Sequence, residues 1–126
     1  MKLIPIGIEN FKEMIDKYYY YIDKTNLIID ILNEQVVFCT RLWRFGKTLN
    51  MSILYYFFSI KENTYLFNRL NISKNKEVLK YQNKYPTIFI SLKDMKSSSF
   101  KAQIIAFSNI IYELLEKNWK YYLQLN

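Results

Sequence analysis

A chain of 126 residues has room for one domain with a modest core, and 51% hydrophobic with 18% aromatic residues is too apolar for a disordered segment. The lack of histidine excludes Ser-His and Cys-His catalytic pairs and any histidine-containing zinc site, and the single cysteine, Cys39, excludes an intrachain disulfide. The net charge of +7 is scattered along the chain with no basic block, so weak attraction to polyanions is expected but specific nucleic-acid binding by this segment is not.

The start, Met1-Lys2-Leu3-Ile4-Pro5, lacks the apolar core of a signal peptide. The longest apolar run, residues 53–58, falls far short of the roughly 18 residues that cross a bilayer, so a cytoplasmic protein with no membrane partner is expected. After Pro5-Ile6-Gly7, the spacing of Ile8, Phe11, Met14 and Ile15 predicts a short helix. Tyr18-Tyr19-Tyr20-Tyr21-Ile22 is a strand-favouring run that ends at Asp23. Asp23 is placed as the N-cap of a second helix carrying Leu27, Ile28, Ile31 and Leu32, with Ile22 and Leu27 at staple spacing. A position for the tyrosines and this turn beside a nucleotide base is the other reading, and spacing alone does not support it.

Val36-Val37-Phe38 has no polar alternation, as in a strand buried on both faces of a parallel sheet, and Cys39 beside it reads as a small buried hydrophobe. Next come Arg41-Leu42-Trp43-Arg44-Phe45-Gly46-Lys47-Thr48 and a helical pattern with Leu49, Ile53 and Phe57 on one side, flanked by Leu54 and Phe58. Strand, basic connector and helix are the parts of a phosphate-binding loop. Gly46 lets backbone approach an oxygen, Lys47 reaches the β and γ phosphates, and the Thr48 hydroxyl completes the shell of a Mg²⁺ ion. The full Walker A pattern has a glycine where this chain has Arg41, so the match is partial. The plainer reading, in which Lys47 and Thr48 only begin a surface helix, stays open.

Residues 61–84 form an Asn- and Lys-rich connector with a turn at Tyr65-Leu66-Phe67 and Leu70 and a short helix at Val78-Leu79. Pro86 introduces Thr87-Ile88-Phe89-Ile90-Ser91-Leu92, a second strand of buried type. Ser97, Ser98 and Ser99 can cap a long helix whose Phe100, Ile104, Phe107, Ile111, Leu114 and Leu115 form an apolar stripe. The alternation predicts an α/β fold of P-loop NTPase type, a partial parallel sheet flanked by helices. With only two core strands visible, open sheet edges and self-association are expected.

Several blocks occur in order: Pro5-Ile6-Gly7-Ile8 with Phe11, Tyr20-Tyr21-Ile22-Asp23-Lys24-Thr25, Thr40-Arg41 followed by Arg44-Phe45-Gly46-Lys47-Thr48-Leu49, Tyr56-Phe57-Phe58, and Tyr85-Pro86. Together they resemble the N-terminal part of the bacterial AAA-ATPase-like family, whose members typically carry a PD-(D/E)XK nuclease-like domain further along. The family usually reads Thr-Arg-Pro-Arg-Arg-Phe-Gly-Lys, so Arg41 is shared with it. Leu42 and Trp43 replace Pro-Arg, which removes a rigid turn residue and one charge. The resemblance implies that residues 1–126 are a truncated N-terminal portion that binds ATP and Mg²⁺ through Arg44, Phe45, Gly46, Lys47, Thr48 and Leu49, with Thr48 at the metal. It also implies a missing downstream domain and a Walker B acid beyond Asn126, without which hydrolysis by this chain alone is not expected. A non-catalytic remnant or protein-interaction segment is the alternative.

Overall fold

The computed structural model describes residues 2–34, 37, 46–60, 64–92, 95–96 and 98–124. Five helices are present among them: α1 (Phe11–Asp16), α2 (Leu27–Leu32), α3 (Lys47–Phe58), α4 (Lys76–Leu79) and α5 (Phe100–Gln124). Two 3-10 turns, Thr64–Phe67 and Asn71–Lys74, lie between α3 and α4. The chain divides into two compact units, Met1–Thr87 and Ile88–Asn126.

The predicted parallel sheet is not found: the described residues contain no strand and no sheet, so the α/β P-loop architecture expected from the sequence is incorrect. Among the described residues there are two isolated parallel bridges, Leu3 with Tyr19 and Ser59 with Tyr85. Each closes a pair of backbone groups without extending into a ladder; beside the first, Tyr20 N–H donates to Leu3 C=O at 2.7 Å. Residues 87–92 run without joining a strand, and Ile88, Ile90 and Leu92 are exposed. Apolar β-branched runs signal a fit to a pleated surface, and without neighbouring strands the same residues specify none. Val36 and Phe38, in the strand expected before the loop, lie outside the described residues, while Val37 is exposed.

The core of the first unit is helical and aromatic. Phe11, Ile28, Ile53, Phe57, Leu66, Phe67, Ile72 and Val78 pack together. The rings of Phe11 and Phe57 lie 5.1 and 5.2 Å from that of Phe67, and Tyr21 meets Phe11 edge-on at 5.6 Å. Met14 is buried as well. The predicted spacings of α1 and α3 name core-facing side chains at Phe11, Ile15, Leu49, Ile53 and Phe57, whereas α2 turns Ile28, Ile29 and Leu32 to the core, of which Ile29 was not expected, and the turn at Leu66-Phe67 supplies the ring that joins them.

Polar contacts fix these short helices. Asn10 caps α1 by accepting from Glu13 N–H at 3.0 Å. Lys12 and Asp16 form an ion pair at 2.7 Å and both bond the Tyr65 hydroxyl, tying α1 to the turn Thr64–Phe67. Asp23 is not the N-cap of α2; that position is Asn26, with no side-chain cap. Instead Asp23 Oδ1 accepts from the Thr25 N–H and hydroxyl, and Oδ2 accepts from Asn71 N–H at 2.6 Å. Its carboxylate therefore pins the turn before α2 to the chain before α4.

The second unit contains α5. Ser99 accepts from Ala102 N–H at 3.3 Å, as a capping serine should. The predicted stripe is only partly buried: Ile111 and Leu114 are half-buried, whereas Phe100, Ile104, Phe107 and Leu115 are exposed.

Candidate functional site

Gly46, Lys47, Thr48 and Leu49 come together at the start of α3. Gly46 is the N-cap in the left-handed region at φ +74°, a conformation that costs an L-residue about 1–2 kcal/mol and glycine little. No atom lies within 4 Å of where its Cβ would stand, so conformation and not crowding selects glycine here. Asn50 N–H donates to Gly46 C=O at 2.9 Å and closes the first turn. The N–H groups of Lys47, Thr48 and Leu49 precede that closure and point out of the helix start.

The electrostatics of this end are unusual for a helix. Its first turn holds no acid, and its first residue is a lysine, whose charge opposes the positive end of the helix dipole. An anion placed there interacts favourably with both. Lys47 is exposed, and Thr48, Leu49 and Asn50 are half-buried. Asn50 Oδ1 is buried without a hydrogen-bond partner among the described residues. Its carboxamide can turn to present either a donor or an acceptor. Arg44 and Phe45, the other two residues expected at this site, lie outside the described residues.

Below the site, α3 is held along its length. Ser52, one turn after Thr48 and buried, accepts from Phe11 N–H at 2.9 Å. The Tyr56 hydroxyl accepts from Asn10 Nδ2 at 3.0 Å. At the other end Asn83, at φ +54°, donates its N–H to Phe57 C=O at 2.8 Å and its Nδ2 to Ser59 C=O at 2.6 Å. Tyr85 N–H adds a bond to Phe58 C=O at 2.9 Å. Sequence reasoning missed all of these. The Asn-x-x-Glu spacing at residues 10–13 is a local cue for the Asn10 cap that the sequence reading did not use, and nothing local signals an acceptor 41 positions away for Phe11.

Within the Tyr20-Tyr21-Ile22-Asp23-Lys24-Thr25 block, Tyr21 packs against the aromatic core and Asp23 and Thr25 bond the chain before α4, while Tyr20, Ile22 and Lys24 are exposed. Tyr21 is half-buried; burial pushes its phenol up to about 12, against the opposing hydrogen bond from Lys24 N–H. For Asp23, burial acts to raise the carboxyl, but the bonds from Thr25 and Asn71 and the charge of Lys74 outweigh it and hold it below the usual carboxylate range. Thr25 is fully buried and donates its hydroxyl to Asp23 Oδ1, so Asp23 and Thr25 serve the fold.

Among the described residues no cluster of His, Cys, Asp or Glu could hold a metal ion, and no helix is long and apolar enough to cross a membrane. No curated protein and no solved structure matches the chain. A family model described as a predicted AAA-ATPase matches residues 5–124, spanning the helix start at Gly46-Lys47-Thr48 and every block noted in the sequence, and the chain belongs to this AAA-ATPase-like family.

Proposed function

We propose that this chain binds a nucleoside triphosphate, ATP with Mg²⁺, through Arg44, Phe45, Gly46, Lys47, Thr48 and Leu49 at the start of α3. The observation that carries the reading is the left-handed Gly46 followed at once by Lys47 in a first turn without an acid. Membership of a family described as a predicted AAA-ATPase supports it. The donor set fits a polyphosphate: backbone N–H groups before the first closed turn and a lysine ammonium are able to donate to phosphate oxygens. Lys47 would neutralise the β and γ phosphates, and the Thr48 hydroxyl would contribute one oxygen to Mg²⁺. Mg²⁺, when bound, would supply neutralisation of the polyphosphate's charge. No residue is assigned a catalytic role, and binding is the function proposed.

Calorimetric titration of Mg·ATP into the full chain tests the reading. Saturable one-to-one binding that inorganic pyrophosphate competes away is the expected result. A titration with no heat beyond dilution at any accessible concentration would remove the proposal.

A further inference from the structure

Helix α3 carries three hydroxyls at intervals of four, on Thr48, Ser52 and Tyr56. Residues four apart drift by only about 40° around a helix axis, so the three lie along one stripe, each about 6 Å further from the helix start than the last. The two lower hydroxyls are in use. Ser52 Oγ accepts from Phe11 N–H at 2.9 Å and the Tyr56 hydroxyl accepts from Asn10 Nδ2 at 3.0 Å, so the stripe faces the start of α1. Ser52 and Tyr56 are buried there, while Lys47 and Met51, each about 100° round the helix from Thr48 and Ser52, are exposed.

Two bonds on one line set the rotation of α3 about its own axis. Helix α1 is the frame for them, because Lys12 and Asp16 fasten it to the Tyr65 hydroxyl in the turn Thr64–Phe67. A rotation of ~20° would carry a hydroxyl ~5 Å from the axis by about 1.7 Å. An oxygen in a Mg²⁺ shell sits at about 2.0–2.1 Å in near-ideal octahedral geometry and does not tolerate such a displacement. The backbone N–H groups at the helix start lie nearer the axis and move less. Resting on the reading of this helix start as a nucleotide site, we infer that Ser52 and Tyr56 are positioning residues: braced against α1, they hold Thr48 at the angle at which its hydroxyl meets the cation.

Titrating ATP into the full chain with Mg²⁺ and in EDTA gives the factor by which the metal strengthens binding. Ser52→Ala and Tyr56→Phe should each cut that factor about fivefold or more and leave the affinity in EDTA unchanged. Tyr56→Phe, the milder change, decides the matter if Ser52→Ala does not fold. Asn83→Gly, which removes a bond at the far end of α3, should leave the factor intact. In a Thr48→Ala background Ser52→Ala should lower the factor no further, since it acts through Thr48. Coupling is reciprocal, so Mg·ATP should slow hydrogen exchange at the Phe11 amide about fivefold more than at the Val78 amide, which Asn75 holds in α4. A parent chain that binds no Mg·ATP removes the nucleotide reading and this inference together. A metal factor that Tyr56→Phe leaves intact, one that Asn83→Gly cuts as deeply, a further loss in the Thr48→Ala background, or equal slowing of the two amides would each overturn the inference while the nucleotide reading stands.

Discussion

The backbone N–H of Phe11 donates to Ser52 Oγ at 2.9 Å, so the opening turn of α1 is capped by a side chain of α3. Both groups are buried, and Phe11 is fully enclosed. Ser52→Ala leaves that N–H without an acceptor, at a cost of about 1–3 kcal/mol. Urea denaturation of the variant should show a lower midpoint with an unchanged slope, and Ser52→Thr, which keeps the hydroxyl, should lose less. Equal loss in both variants would mean that packing and not the bond is at stake.

Lys47 is the residue on which nucleotide affinity should depend most. A charge-assisted contact is worth about 1.5–3 kcal/mol, so Lys47→Ala should weaken Mg·ATP binding by roughly ten- to a hundredfold while helix content by circular dichroism stays the same. An unchanged affinity would remove the phosphate-binding reading of this helix start.

Thr48 separates the metal from the phosphate. Thr48→Ala should weaken ATP binding when Mg²⁺ is present and leave it unaltered in EDTA, since its hydroxyl is assigned to the cation. Equal losses with and without Mg²⁺ would assign the residue to the helix start instead.

The depressed carboxyl of Asp23 gives the stability a definite pH dependence. A group whose folded pKa lies below its unfolded value stabilises the native state above the unfolded pKa and ceases to do so as pH falls through the folded one. The stability due to Asp23 is therefore constant at neutral pH and lost in acid, below about pH 4. Asp23→Ala removes the acceptor of the buried Thr25 hydroxyl and of Asn71 N–H, and should cost about 1–3 kcal/mol at pH 7. Urea titrations across pH 2–7 check both statements; a variant whose acid transition parallels that of the parent would disprove the linkage.

Asn83 combines a left-handed backbone with a donor side chain at the end of α3. Asn83→Gly keeps the backbone and loses the bond to Ser59 C=O, whereas Asn83→Ala loses both. The glycine variant should lose about 1 kcal/mol and the alanine variant about 1–2 kcal/mol more. The reverse order in thermal denaturation would show that the left-handed conformation is not needed.

The helices were legible in the sequence because their signal is local. Apolar residues at three- and four-residue spacing placed α1, α2, α3 and α5, and Val78-Leu79 marked α4. The sheet was misjudged because Thr87-Ile88-Phe89-Ile90-Ser91-Leu92 carries the composition of a buried strand, while pairing depends on neighbours that composition does not specify. Asp23 was read as a helix cap for a similar reason: an aspartate before a helical pattern suits a cap, and its bond to Asn71 crosses 48 positions. At the site, Gly46-Lys47-Thr48 falls at the start of α3 as its residue types suggest, but the supports at Ser52, Tyr56 and Asn83 each require a partner from another part of the chain. The buried Thr25 likewise gave no warning, since nothing beside it foretells its burial.

The bonds that hold the first unit together have a kinetic consequence. Phe11 to Ser52, Asp23 to Asn71 and Lys12 to Tyr65 span 41, 48 and 53 positions. Helices α1, α2, α3 and α4 have six, six, twelve and four residues, at or below the ~12–15 at which an isolated helix becomes even marginal in water. Each therefore depends on its tertiary partners for stability. Because these bonds join segments far apart in the chain, the described helices of the first unit are expected to form together, at a rate limited by closing the loops between them, and not one helix at a time.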